Sequence, residues 1–250
     1  MAKIGIIGGS GLEDPEILDS SEIINVSNKY GSPGSPLVCG KIGNTETVIL
    51  SRHRKDHSIA PSAVNNRANI LALKEAGCTH IITTTACGSL REEIGRGDIV
   101  IPDQFIDFTR HRAITFFDKF ESGSPGHTPM ADPFDSNLRS LLISAAKRLG
   151  LPVHEKGVVI TIEGPRFSTR AESRLFRMWG ADIINMSVSP EVILANELGI
   201  PYATIAMSTD YDSWKADEDP VTWEEVFRVF AGNVHNVISL LKEVIPLITV

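Results

Sequence analysis

Apolar runs with period two and apolar stretches with helical period alternate along the chain. Lys3–Ile7 is an apolar strand that breaks into glycines around Ser10. Leu37–Ile42 and Thr45–Leu50 flank Gly43-Asn44 and predict a hairpin. Ser62–Ala76 spaces its apolar residues helically and stops at Gly77. His80–Thr85 and Asp98–Pro102 read as strands. Asn137–Leu149 is an amphipathic helix ended by Gly150, and Val153–Ile162 is one long β-rich run. Thr169 with Glu172 is a capping-box pattern opening a helix that ends near Gly180. Asp182–Met186 is a strand, and Ser189-Pro190-Glu191 sets a capping serine before a proline at the first helical position. Tyr202–Met207 is a further strand. Thr222 with Glu225 repeats the capping box before a last helix to about Ile248. Between Pro102 and Pro133 the period is lost. Turn residues mix there with His111, Arg112, Phe116 and Phe117, as in an insertion or a long functional loop.

This alternation predicts a single α/β domain over residues 1–250, a mixed central β-sheet flanked by helices. No repeat or long linker interrupts it. With 42% hydrophobic and 22% charged residues the chain can bury a sizeable core. A net charge of −7 argues against nucleic acid or an anionic membrane as partner, but not against a small anion held by a few arginines and amides. The opening MAKIGIIGG does not resemble a secretory leader, and no stretch is apolar for long enough to span a bilayer. Cys39, Cys78 and Cys87 match no metal spacing and read as reduced thiols of a cytoplasmic protein.

Gly9-Ser10-Gly11 supplies half of a dinucleotide fingerprint, but Asp14 occupies the third glycine position and would set a negative charge near a pyrophosphate. No Lys-Ser/Thr pair completes a P-loop. A tight turn without ligand fits the segment too. So does a third reading, in which Gly8, Gly9 and Gly11 let the backbone approach closely and Ser10 offers its hydroxyl to one compact anion. Other strand exits carry comparable groups. Arg52 and His53 follow Thr45–Leu50, and a guanidinium fork suits phosphate, although the tetrapeptide Ser51–Arg54 alone reads as a solvated basic turn. Thr83-Thr84-Thr85-Ala86-Cys87-Gly88-Ser89 puts hydroxyls and a glycine at the carboxyl end of a strand, where open α/β sheets hold ligands; the strand preference of threonine explains part of that run. Ser187 follows Asp182–Met186. Asp210 and Asp212, spaced i, i+2 after Tyr202–Met207, can face one polar ligand or belong to an acidic loop with Asp217, Glu218 and Asp219. Convergence of Ser10, Arg52-His53, Thr85-Ala86, Ser187 and Asp210/Asp212 is the argument for a pocket.

The blocks GIIGGSGL, SRHRKDH, TTTACGSL, TIEGPRFSTRAE, INMSVSPE and STDYDSW, in this order, resemble the nucleoside phosphorylase superfamily, most of all its 5′-methylthioadenosine phosphorylase branch, and the resemblance runs from residue 4 to at least residue 227. The resemblance implies that family's fold and a reaction in which inorganic phosphate attacks the anomeric carbon of a purine nucleoside as the base departs. The products would be adenine and 5-methylthio-α-D-ribose 1-phosphate, in purine and methionine salvage, without metal or organic cofactor. By resemblance, Ser10, Arg52, His53, Thr85, the Ala86 amide and Ser187 hold phosphate, and Met186 contacts the ribose. Asp210 acts on the leaving base, Asp212 accepts from its exocyclic amine, Phe167 stacks on it and Ser168 lies at its edge. Asp210 must be buried or sit beside another charge to keep a proton near neutral pH, because a free aspartate titrates near 3.9. Val221, Trp223, Val226 and Phe227 open the last helix. Three of them share a face at i, i+3, i+4, which alone reads as a core stripe; the resemblance puts this stripe at the methylthio group. His127 would reach a neighbouring subunit's pocket in a homotrimer, or in a hexamer made of two trimers. The rival enzyme is a purine nucleoside phosphorylase of 6-oxopurine or mixed specificity, which the Asp210–Asp212 pair opposes. Asp14 opposes a nicotinamide-dependent dehydrogenase. A non-catalytic nucleoside binder would keep the pocket but needs no proton donor.

Overall fold

The structure is a computed structural model and describes residues 1–8, 17–54, 56–120, 122–123, 126–218 and 222–249, without the side chain of Trp223. In chain order the elements are β1 (Lys3–Gly8), β2 (Asp19–Ile24), β3 (Leu37–Ile42), β4 (Thr45–Ser51), α1 (Asn66–Glu75), β5 (His80–Ser89), β6 (Ile99–Val100), β7 (Gln104–Phe108), α2 (Ser136–Arg148), β8 (Val153–His154), β9 (Val158–Ile162), α3 (Arg170–Met178), β10 (Ile183–Asn185), α4 (Val188–Glu197), β11 (Tyr202–Tyr211) and α5 (Trp223–Val244). The strands form one mixed sheet, as the alternation predicts.

That sheet forks at β5. On one edge β5 pairs with parallel β11 from Ile81 to Ser89. On the other edge, parallel β1 runs beside it only to Thr83, and antiparallel β10 takes over at Gly88 and Ser89. From β1 the sheet continues through β4 and β3 to β2; from β10 it continues through β9 to β7. Among the described residues, no strand pairs with 84–87 on the forked edge.

Helices cover both faces. Helices α2 and α5 pack on Ile4, Ile6, Ile82 and Ile205, while α1 and α4 pack on Ile7, Leu50 and Ile81. Phe176 of α3 closes a third cluster with Ile160 and Ile184. Burial on both faces explains why β1 is apolar without interruption.

Several boundaries differ from the sequence reading. β5 and β11 run on to Ser89 and Tyr211, so Thr85, Ala86 and Asp210 lie within strands rather than at their exits. The run 153–162 is two strands, because Glu155-Lys156-Gly157 interrupts it and the halves pair with different neighbours. α1 starts at Asn66, where the Asn65 side chain accepts from the Ala68 amide; Pro61–Ala63 before it is a separate 3-10 turn. The strand expected at 98–102 is only Ile99–Val100. Ser189 is extended before Pro190, as a residue preceding proline should be; it kinks the element there, and the helix continues from Pro190 as the sequence predicts, although the Ser189 side chain forms no cap. The Thr169–Glu172 capping box closes with both of its bonds. β2 escaped notice because it is exposed along its whole length and carries no burial alternation. β7 lies in the stretch read as a loop and adds to the sheet beside β9.

Candidate active site

The fork opens into a cavity of about 450 Å³, within the usual range for a small-molecule site. Its floor is the unpaired edge of β5. Ile81 turns its N–H to β11, donating to Pro201 O. Backbone groups alternate in direction along a strand, so even-numbered residues turn to the fork. Thr84 O accordingly accepts from Arg52 Nη1 at 3.3 Å, and the Ala86 N–H points the same way.

Arg52 follows β4, and its amide donates to Gly8 O at 3.0 Å. Its guanidinium forks the carboxylate of Glu191, Nε to Oε1 at 2.5 Å and Nη2 to Oε2 at 2.9 Å. Both side chains are buried. Tyr202 donates its phenol to Glu191 Oε2 at 3.2 Å and is itself within 2.8 Å of Thr83 Oγ1 and 3.3 Å of Thr204 Oγ1. Burial works against the charge of Arg52, but Glu191 more than offsets it and holds the guanidinium above its usual value. Three of the guanidinium's five N–H groups are engaged in this way; the other two have no partner among the described residues and can serve a ligand.

His53 contributes no charge. Burial, reinforced by Arg52, lowers its pKa to about 4. Its Nδ1 lies 2.8 Å from Ile59 O; a carbonyl only accepts, so Nδ1 carries the proton and Nε2 is a bare acceptor. Next to it, Thr85 Oγ1 and Ser187 Oγ lie 2.9 Å apart, and Thr85 Oγ1 also accepts from Asn185 Nδ2 at 3.4 Å. Thr161 orients that amide through a 2.8 Å bond to Asn185 Oδ1.

At the other end of the cavity a bulge at Thr209 re-aims β11: Cys87 pairs with Ser208 and Gly88 with Asp210. Burial raises the Asp210 pKa to about 7; a 2.7 Å bond from Thr209 Oγ1 opposes the rise and the like charge of Asp212 adds to it. Burial also raises the pKa of Asp212, against the hydroxyl of Ser168, which lies 2.7 and 2.6 Å from its two carboxyl oxygens. A Cβ at Gly88 would come within 3.0 Å of Asp210 Oδ2, so the glycine leaves room for the carboxyl. Phe167 stands partly exposed at the rim, and Val226, Phe227 and Phe230 of α5 form an apolar side.

Of the residues singled out in the sequence, Arg52, His53, Thr85, Ala86, Phe167, Ser168, Met186, Ser187, Asp210, Asp212, Val226 and Phe227 all line this cavity. Ser10, Val221 and the side chain of Trp223 lie outside the described residues. His127 is exposed, packs its ring against Phe120 at 5.3 Å, and does not line the cavity of its own chain. Sequence reasoning missed Glu191, which carried only a helix-start signal, along with the lining residues His57 and Phe230. It also missed what Arg112 does. This arginine donates to Met186 O at 2.8 Å, Ser189 O at 2.9 Å and Glu163 O at 2.7 Å, pinning the backbone on both sides of Ser187. Charge is distributed unevenly across the cavity: one end offers hydroxyls, an amide and a guanidinium, the other two carboxyls with raised pKa values.

A fold of this kind with such a cavity defines a class, and the chain belongs to it: the model of the phosphorylase superfamily matches residues 3–246. Across 98% of its length the chain is 57% identical to the S-methyl-5′-thioadenosine phosphorylase of Xenopus tropicalis, covering 88% of that protein. It is 53% identical to the enzyme of that name from Danio rerio, with the same two coverages of 98% and 88%. Among solved structures, methylthioadenosine phosphorylase from Schistosoma mansoni in complex with adenine superposes with a TM-score of 0.93 at 43% identity, over 99% of this chain and 92% of that one. A variant of that enzyme in complex with methylthioadenosine gives 0.92 at 42% identity, over 99% and 91%.

Proposed function

We infer that the protein is a pentosyltransferase that cleaves S-methyl-5′-thioadenosine with inorganic phosphate. The products are adenine and 5-methylthio-α-D-ribose 1-phosphate, which places the enzyme in purine and methionine salvage. The observation that carries this reading is the opposition of the two ends of one cavity: Arg52 with hydroxyls at one, and at the other a buried Asp210 that holds a proton near neutral pH.

Phosphate binds to Arg52, Thr85, Ser187 and the Ala86 amide, with Ser10 from the glycine loop. It is held on the ribose face opposite the base, aligned for attack on the anomeric carbon, and its charge stabilises the cationic sugar as the glycosidic bond breaks. His53, with a bare Nε2, accepts a hydrogen bond from the protonated oxygen of the anion. Met186 packs on the ribose and Phe167 stacks on the purine. Asp210 donates to the imidazole ring of the departing adenine, which is a poor leaving group as an anion. Asp212, fixed by Ser168, accepts from the 6-amino group; a carboxylate cannot donate to a 6-oxo group, and this disfavours a 6-oxopurine phosphorylase. Val226 and Phe227, with Trp223, enclose the methylthio group. Phosphate is the co-substrate, and the mechanism needs no metal or organic cofactor. We further propose a cytoplasmic homotrimer, or two such trimers paired, in which His127 completes a neighbouring pocket.

Release of free base from methylthioadenosine, methylthioinosine, adenosine and inosine, each with and without phosphate, tests this. Phosphate-dependent cleavage with methylthioadenosine preferred is expected. Equal cleavage without phosphate would refute a phosphorylase.

A further inference from the structure

Glu191 is fully buried behind Arg52 and does not line the cavity. Its carboxylate takes Nε–H and one N–H of Nη2, and Thr84 O takes one N–H of Nη1, which leaves two N–H groups of the guanidinium without a partner among the described residues. Tyr202 donates to the same carboxylate, and Thr83 and Thr204 fix that phenol. Glu191 therefore cannot swing away when an anion arrives.

We propose that Glu191 is a built-in counter-anion, a positioning residue that sets how tightly Arg52 holds phosphate. The proposal rests on the phosphorolytic reading. A buried guanidinium without a counter-charge is strongly unfavourable, and Glu191 supplies that counter-charge before any ligand enters. An incoming phosphate thus meets a partly neutralised arginine and the repulsion of a carboxylate behind it. Weaker binding suits a site whose phosphate leaves as part of the product: a fully unpaired arginine would retain the sugar phosphate after the glycosidic bond has broken.

Charge compensation and simple structural support predict opposite signs for Glu191→Gln. If Glu191 only props Arg52 in place, the variant uses phosphate less well. If it is a counter-anion, the KM for phosphate falls by about tenfold, the size expected from one neighbouring charge in a partly solvated site, with the nucleoside KM unchanged. Thermal unfolding should then show a lower Tm without phosphate and a larger phosphate-induced rise than in the wild type. Glu191→Asp keeps the charge and should return the phosphate KM toward the wild-type value. A phosphate KM that rises or stays the same in Glu191→Gln overturns the proposal, as does a Glu191→Asp variant that behaves like Glu191→Gln. Failure of Glu191→Gln to fold even in added phosphate also overturns it, because phosphate is expected to replace the missing charge. Phosphate-independent cleavage by the wild-type enzyme would instead defeat the phosphorolytic reading itself, so the two failures are distinguishable.

Discussion

The two ends of the cavity bury charge in opposite ways. At the Arg52 end the protein supplies the counter-charge, and Glu191 keeps the arginine ionised where burial alone would discourage it. At the Asp210 end no cation pairs with the carboxyl: burial raises Asp210 to about 7 against the single hydroxyl of Thr209, whereas at Asp212 two short contacts from Ser168 oppose the rise and favour the carboxylate. Pairing preserves a charge; burial without pairing favours the neutral, proton-bearing form. One cavity can therefore present a permanent cation to an anionic nucleophile and a proton to a leaving base.

Arg52→Ala should break the paired end most severely. It removes the permanent cation and strands Glu191 without its partner. The kcat/KM for phosphate is expected to fall by roughly 10²–10³-fold, and denaturant melts should show a loss of about 3–5 kcal/mol. Nucleoside affinity, measured by equilibrium binding without phosphate, should change little; a larger loss there than in phosphate use would remove Arg52 from its assigned role.

Asp210→Asn tests the unpaired end and should lower turnover on methylthioadenosine by ~10²-fold or more. The sign of the pH dependence follows from the raised pKa. The active form carries the proton, so wild-type kcat/KM should decline as pH rises through about 7, and the variant should lack that decline. Folding stability follows the same linkage. The raised pKa favours the folded state fully below the unfolded value near 3.8, and this contribution is lost as pH rises to about 7. Asp210→Asn should flatten that stretch of the stability profile.

Asp212→Asn should have a smaller effect, seen as a change in preference rather than a loss of activity. An amide can donate to a 6-oxo group, so the ratio of methylthioinosine to methylthioadenosine turnover should rise by roughly tenfold, about one hydrogen bond's worth. An unchanged ratio would place purine recognition elsewhere. Gly88→Ala should perturb least. The new methyl meets Asp210 Oδ2 at 3.0 Å and must displace it by a few tenths of an ångström. Turnover should drop by no more than about tenfold, and the alkaline midpoint of the pH profile should move while the KM for phosphate stays constant.

The sequence alone went far with local features. Turn chemistry and capping fixed the hairpin around Gly43-Asn44 and the start of α3, because those bonds join residues a few positions apart. Apolar β1 was legible because both of its faces are buried. Exposed β2 was not, since an edge strand needs no alternation to stay in place. The Asp210–Asp212 pair was visible as a spacing. That burial, more than the neighbouring charge, raises its pKa could not be read from the spacing.

What only the tertiary structure decided lies at long separations. Arg52 and Glu191 stand 139 positions apart, and a glutamate after Ser-Pro reads locally as nothing more than a helix-opening residue. Arg112 lies in a stretch with no period, yet it bonds to carbonyls 74 and 77 positions away. Even the cavity depends on the fork in the sheet, where the pairing of β5 with β1 ends at Thr83 and its pairing with β10 begins at Gly88. Local sequence specifies turns, caps and faces because their interactions are short-range. Which buried charges are paired, and which backbone edge is left open to a ligand, depends on neighbours that folding alone brings together.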